Sequence, residues 1–268
     1  MISLTSLDEQ RQSKTGLFGL LNSVPHPTIV EMIATAGYDF VLLDQEHLPH
    51  NEPLLSQCIQ LAQLNGCLPL VRITVDDIPR AGRLLDLGAQ GIVLSRTESA
   101  GQVMALRDAM LFPPLGSRGI TGGSVTGFGT LSLSDYIQQA NEKLWLVPMI
   151  ETPNGIAAID EILAIPQVTM VMEGALDLAL SMQLGPHPSH PDVEAQIRIL
   201  ATGCAVAGKP FCANPRTPEQ HHYWHDQGID CWLCGEDRGF LFRTLKQRLT
   251  DLQTFPSYVT ETNRTTHV

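Results

Sequence analysis

Eight short apolar runs recur along this chain, at residues 18–21, 40–44, 69–73, 91–95, 144–150, 168–173, 210–214 and 231–235. Most neighbours are separated by a segment of helical periodicity, at 26–36, 53–65, 78–87, 100–110, 153–165, 192–207 and 218–227, and 238–252 follows the last run. Each segment is long enough to carry the chain back across a parallel sheet, which a tight turn cannot do. Runs that are apolar throughout, and not only at alternate positions, belong to strands covered on both faces. The pattern predicts an α/β fold, a single (β/α)8 TIM barrel over residues 1–253, with a polar tail over 254–268. A doubly wound open sheet has the same local pattern. However, no run leads into the G-x-G-x-x-G of a dinucleotide-binding sheet, and 268 residues suit one barrel.

Charge narrows the function. A formal net charge of −11 argues against nucleic acid or an anionic membrane surface as partner, since both need clustered cations. Small molecules or proteins are expected instead. The first 15 residues are polar, and no apolar stretch approaches the roughly 18 residues of a membrane span, so a soluble cytoplasmic protein is expected. The six cysteines are too few for a disulfide scaffold. Cys231 and Cys234 form a C-x-x-C inside an apolar run, where residues three apart face opposite ways, and they read as ordinary buried thiols. His221, His222 and His225 lack the glutamate of H-E-x-x-H and read as a solvated helix surface. Six glycines in the 14 residues 116–129 read as a mobile loop at the barrel mouth; the Lys-Ser/Thr pair of a phosphate loop is missing.

In barrels of this kind the catalytic groups sit at the carboxyl ends of the strands. The second run ends in Asp44-Gln45-Glu46-His47, the third carries Arg72, LWLVPMI is followed by Glu151, and VTMVMEGAL is followed by Asp177. Two carboxylates at adjacent strand ends, with room left for water, suit a hard divalent metal, Mg2+ or Mn2+. A cation facing Arg72 matches a 2-oxo acid, whose ketone oxygen gains charge during reaction. The amides of Ala175, Leu176 and Asp177 would open a helix and favour the substrate carboxylate. His47 can move protons near neutrality, with Asp44 or Asp86 to orient it and His50 as a competitor. Glu46 would support the metal or a bound water. Each acid alone is more often a solvated or capping group, and the functional reading rests on their convergence.

These residues lie in segments that resemble the HpcH/HpaI aldolase family of the phosphoenolpyruvate/pyruvate barrel superfamily. The segments are GYDFVLLDQEH at 37–47, PLVRI at 69–73, LLDLGAQGIVL at 84–94, FPPLGSRG at 112–119, VPMIET at 147–152 and GALDLALSMQLG at 174–185. The resemblance implies Glu151 and Asp177 as metal ligands and Arg72 as the enolate or ketone stabiliser. It implies His47, Asp44 and Asp86 as the acid–base group, and amides from Gly174 to Asp177 as a carboxylate cradle. It also implies a homo-oligomer, commonly a hexamer with exchanged terminal helices. Two departures bear on the substrate. Where the family usually reads I-G-P-A-D, this chain reads Glu173-Gly174-Ala175-Leu176-Asp177, adding an acid that could act as a base or as a supporting carboxylate. After FPPLGSRG an Arg-Ala pair is usual, but GGSVTGFG stands here. With LLNSVPHP at 20–27, these features are also similar to the siderophore-associated (staphyloferrin B-like) citrate synthase branch. Three functions follow as expectations: an aldolase forming a pyruvate enolate, a citrate synthase joining oxaloacetate to acetyl-CoA, and a non-catalytic barrel that binds a 2-oxo acid.

Overall fold

The computed structural model describes residues 4–12, 14–49 and 51–254. Eight parallel strands close into a barrel: β1 (Leu17–Asn22), β2 (Phe40–Asp44), β3 (Leu68–Ile73), β4 (Gly91–Leu94), β5 (Trp145–Ile150), β6 (Val171–Glu173), β7 (Phe211–Ala213) and β8 (Cys231–Glu236). Every predicted run supplies one strand, and β8 returns to β1 through the Leu17↔Cys231 register.

Alternation along the strands sorts the core into two shells. Phe40, Leu42, Leu70, Val93, Val147, Met149, Met172, Cys212 and Leu233 fill the barrel interior, and Phe40 meets Trp145 edge-on at 6.5 Å. The residues between them, such as Val41, Leu43, Val71, Ile92, Ile150 and Val171, face the surrounding helices. Side chains two apart on a strand share a face. Asp44 therefore continues the interior row of Leu42, Arg72 that of Leu70, Glu151 that of Met149 and Gly174 that of Met172. Glu173 has the opposite parity and points outward.

Helices begin directly after the strand ends because the sequence caps them there. Thr152 accepts from the Gly155 amide and starts Pro153–Ala157, which fixes the exit of β5. The predicted helix at 153–165 is two short ones, Pro153–Ala157 and Ile159–Leu163. Two described α-helices lie outside every helix expected from the sequence: Leu7–Gln12 and Leu133–Lys143, whose buried side chains are only Leu7 in the first and Tyr136 and Ala140 in the second. So few apolar residues leave no repeating signal. Parts of the expected mouth loop at 116–129 are packed, although most of its residues are exposed. A Cβ on Gly116 would lie 2.4 Å from the Leu111 carbonyl, Arg118 is buried, and Val125 and Thr126 are buried in a 3-10 turn.

The last helix, Asp237–Thr254, buries only Asp237 and leaves Phe242, Leu245, Leu249 and Leu252 more than half exposed. It does not cover the barrel as a closing helix would. Residues 255–268 of the predicted tail lie outside the described residues. Among the described residues, no helix is long and apolar enough to cross a membrane.

Candidate active site

Four acids, Asp44, Glu46, Glu151 and Asp177, and an arginine meet at the carboxyl end of the barrel. Arg72 is 7% exposed, and its guanidinium forks onto Asp44, Nη2 to Oδ2 at 2.9 Å and Nε to Oδ1 at 3.1 Å. Nε also lies 3.3 Å from Glu46 Oε2. Asp44 Oδ1 accepts from the backbone amides of Glu46 and His47 at 3.0 and 3.4 Å, which shapes the turn leaving β2. Burial alone would lower the Arg72 pKa, but the hydrogen bond and charge of Asp44, with Glu46 and Glu151, hold it above the ordinary value.

Glu151 is 2% exposed. Burial pushes its carboxyl up to about 7; the Arg96 amide, donating to Oε2 at 2.8 Å, works against the rise, Glu46 and Asp177 add to it, and Arg72 opposes it. Room for this carboxylate comes from Gly174, where an added Cβ would stand 2.3 Å from Glu151 Oε1. Gly174→Ala should therefore push Glu151 out of place and lower turnover by roughly 100-fold, the effect of an ångström-scale misplacement. A variant retaining more than half of wild-type kcat would show that this carboxylate position is not needed.

Other expected residues fall differently. The His47 ring is exposed, with Nε2 3.8 Å from Glu46 Oε2, so Glu46 and not Asp44 is the carboxylate beside it. Asp44 is committed to Arg72. Asp86 closes the helix Ala81–Asp86, which runs back toward the amino ends of the strands, and its Oδ1 takes Arg118 Nη2 at 2.6 Å. Within this chain it is at the wrong end of the barrel to orient His47. His50 lies outside the described residues.

Glu173 also departs from expectation. Its outward side chain is 2% exposed and accepts from the amides of Ala175 (2.8 Å) and Asn214 (2.9 Å) and from Arg216 Nη1 (3.4 Å). It braces the turn after β6 against the segment after β7, at the edge of a cavity of about 250 Å3 lined also by Arg198 and Tyr223. It is not placed to act as a base in the mouth. By taking the Ala175 amide it leaves, of the expected cradle, the amides of Leu176 and Asp177, which as first-turn groups have no carbonyl four residues back.

The cysteine and histidine motifs stay outside this site. Cys231 and Cys234 lie in β8, where burial raises both thiols, that of Cys234 to about 11, and His221 rests on the Trp232 ring with centroids 4.5 Å apart. Sequence reasoning missed Arg96, which supplies the amide to Glu151 from a left-handed conformation at φ 47°.

The model of the HpcH/HpaI aldolase/citrate lyase family matches residues 14–220. The chain belongs to this family. Among HpcH/HpaI relatives, the hydroxypyruvate/pyruvate aldolase of Delftia acidovorans is 35% identical over 193 residues, 72% of either chain. Among solved structures, citrate synthase SbnG is 30% identical with a TM-score of 0.85, over 92% of this chain and 97% of its own. The HpcH/HpaI aldolase from Desulfitobacterium hafniense DCB-2 is 25% identical with a TM-score of 0.88, over 96% and 99%. The protein is thus an enzyme of the aldolase/lyase type on a single (β/α)8 barrel. Its family acts on small 2-oxo acids.

Proposed function

We propose that this protein is a divalent-metal-dependent aldolase that joins or cleaves a carbon–carbon bond next to the keto group of a pyruvate-type acid. The observation that carries this reading is the convergence at the barrel mouth of Glu46 and Arg72 with a buried Glu151 that also feels the charge of Asp177. A buried glutamate crowded by two further carboxylates is a poor site for its own negative charge and a good one for a cation. The donors are all oxygen, which suits Mg2+ or Mn2+. Among the described residues no three metal-ligating side chains form a complete cage, so Glu151 and Asp177 would hold the ion with water or substrate in the remaining positions. Such an ion supplies Lewis-acid stabilisation of the ketone and enolate oxygen.

The protein's own groups do the rest. Arg72, held rigid by Asp44, presents a fixed positive charge to the oxygen that becomes anionic. In cleavage of a 4-hydroxy-2-oxo acid, His47 takes the proton of the 4-hydroxyl, with Glu46 supporting the imidazolium. The bond between C3 and C4 then breaks, its electrons pass toward the ketone oxygen, and an aldehyde leaves. Protonation at C3 completes pyruvate.

A second reading has its own support in the near full-length likeness to citrate synthase SbnG. There oxaloacetate would be the electrophile and acetyl-CoA would enolise. One experiment separates them. Purified protein with Mg2+ or Mn2+ is given pyruvate or hydroxypyruvate plus an aldehyde, and in parallel oxaloacetate plus acetyl-CoA. The aldolase reading expects a hydroxy-oxo acid in the first mixture; free thiol and citrate in the second, with no product in the first, would overturn it.

The exposed apolar side chains of Asp237–Thr254 support a homo-oligomer in which that helix meets another copy of the chain, a hexamer by family analogy. Sedimentation should give a multiple of 29.3 kDa, and Leu245→Glu with Leu249→Glu should reduce it. A wild-type monomer at micromolar concentration would contradict this. This reading includes a cytoplasmic location for the chemistry.

A further inference from the structure

Arg96 has a backbone conformation that its residue type disfavours. At φ 47° it is in the left-handed region, where glycine and asparagine are at ease and a long side chain is not. The conformation aims the amide at Glu151. Any residue with an N–H could do that, and glycine could do it with less strain, so the amide does not explain the arginine.

Its surroundings do. The arginines that follow β7 and β8 are neutralised, Arg216 by Glu173 and Arg238 by Glu236, and Arg72 is shared by Asp44 and Glu46. Among the described residues, the Arg96 guanidinium has no ion-pair partner. The residue is exposed and lines a cavity of about 270 Å3 with Thr74, Asp76, Ser95, Glu98 and Gln102. Thr74 stands two residues beyond Arg72 and Ser95 two beyond Val93, so both carry the parity of the barrel interior. The cavity therefore adjoins the mouth, next to Arg72 and to the strand end that supports Glu151.

We propose that Arg96 binds a second carboxylate on the substrate, distal to the 2-oxo acid group, and so selects acidic substrates over neutral ones. The assignment rests on the 2-oxo acid chemistry proposed above and specifies the substrate class of that site. A guanidinium offers a planar fork to a carboxylate, and this one gives up no existing partner in binding it. Asp76 and Glu98 on the same wall keep the cavity from becoming a general anion trap, so a single carboxylate fits and a polyanion does not. The distal acid could belong to an aldehyde in the aldolase reaction or to oxaloacetate in the condensation.

The test is a ratio, which general damage to the site does not mimic. With the Mn2+-loaded full chain and pyruvate, kcat/KM is measured for succinic semialdehyde and for butanal, in wild type, Arg96→Asn and Arg96→Lys. Asparagine tolerates the left-handed backbone and keeps the amide to Glu151. The preference for the carboxylated aldehyde should fall by about tenfold or more in Arg96→Asn, the scale of one charge-assisted contact, and part of it should return in Arg96→Lys. A ratio within twofold of wild type in Arg96→Asn would overturn the assignment. If no aldehyde reacts in any protein, the aldolase reading fails, and Arg96 is then judged by calorimetry. Oxaloacetate should bind wild type more tightly than pyruvate, with the difference lost in Arg96→Asn; equal binding of the two acids by wild type would end the proposal.

Discussion

Glu151→Gln is expected to abolish turnover while making the metal-free protein more stable at pH 8. Glutamine keeps the size of the side chain and its acceptor for the Arg96 amide, but it has no charge to bury. The carboxyl of Glu151 titrates at about 7 in the folded chain against 4.5 for the ordinary group, because burial outweighs that amide. Between these values the folded state holds the proton that the unfolded state has released. Stability from this group is complete below about pH 4.5, falls as pH rises, and is gone above about pH 7. The difference corresponds to a few kcal/mol. Urea midpoints of the metal-free proteins should therefore diverge from pH 5 to pH 8, with the variant ahead at pH 8. Parallel pH profiles for the two proteins would mean that Glu151 is not buried as described. Metal should narrow the gap by restoring a use for the charge, so the residue costs stability only when the site is empty of cation.

Arg72→Lys should lower kcat/KM by about 10^2 to 10^3, although the charge is retained. The two contacts to Asp44 need a planar fork, and an ammonium can satisfy only one oxygen well at a time. Most of the loss should fall on kcat, since the fixed charge matters more as the ketone oxygen becomes anionic than in the bound ground state. Folding should suffer by about 1 to 3 kcal/mol, because Asp44 and Glu46 are left poorly paired where little water reaches. Steady-state kinetics with denaturant unfolding measures both effects. A lysine variant with wild-type kcat and a raised KM would reduce Arg72 to a substrate anchor.

Much of this arrangement is written in strand parity. Arg72 and Glu151 could be placed in the mouth because each ends an apolar run on the same face as the interior residues before it. The same count shows Glu173 to be one step out of phase with Met172, so its outward position is legible in the sequence. The direction of the helix Ala81–Asp86 likewise places Asp86 at the far end. Arg96 was not legible: left-handed backbone is advertised by glycine or asparagine, and an arginine there gives no sign. Nor could the exposure of Asp237–Thr254 be read. Its apolar residues predict a buried face but not whether this chain or another copy buries it.

The proposed chemistry turns on the enolate, and exchange of the pyruvate methyl protons into deuterated water measures it without any second substrate. Wild-type protein with Mg2+ or Mn2+ should incorporate deuterium at C3, followed by NMR, and chelation should stop the exchange until metal is returned. Glu151→Gln and Arg72→Lys should each exchange at least 100-fold more slowly, on the scale of losing one electrostatic stabiliser. Exchange that continues at the wild-type rate after chelation, or in Glu151→Gln protein, would rule out a metal-stabilised enolate at this site.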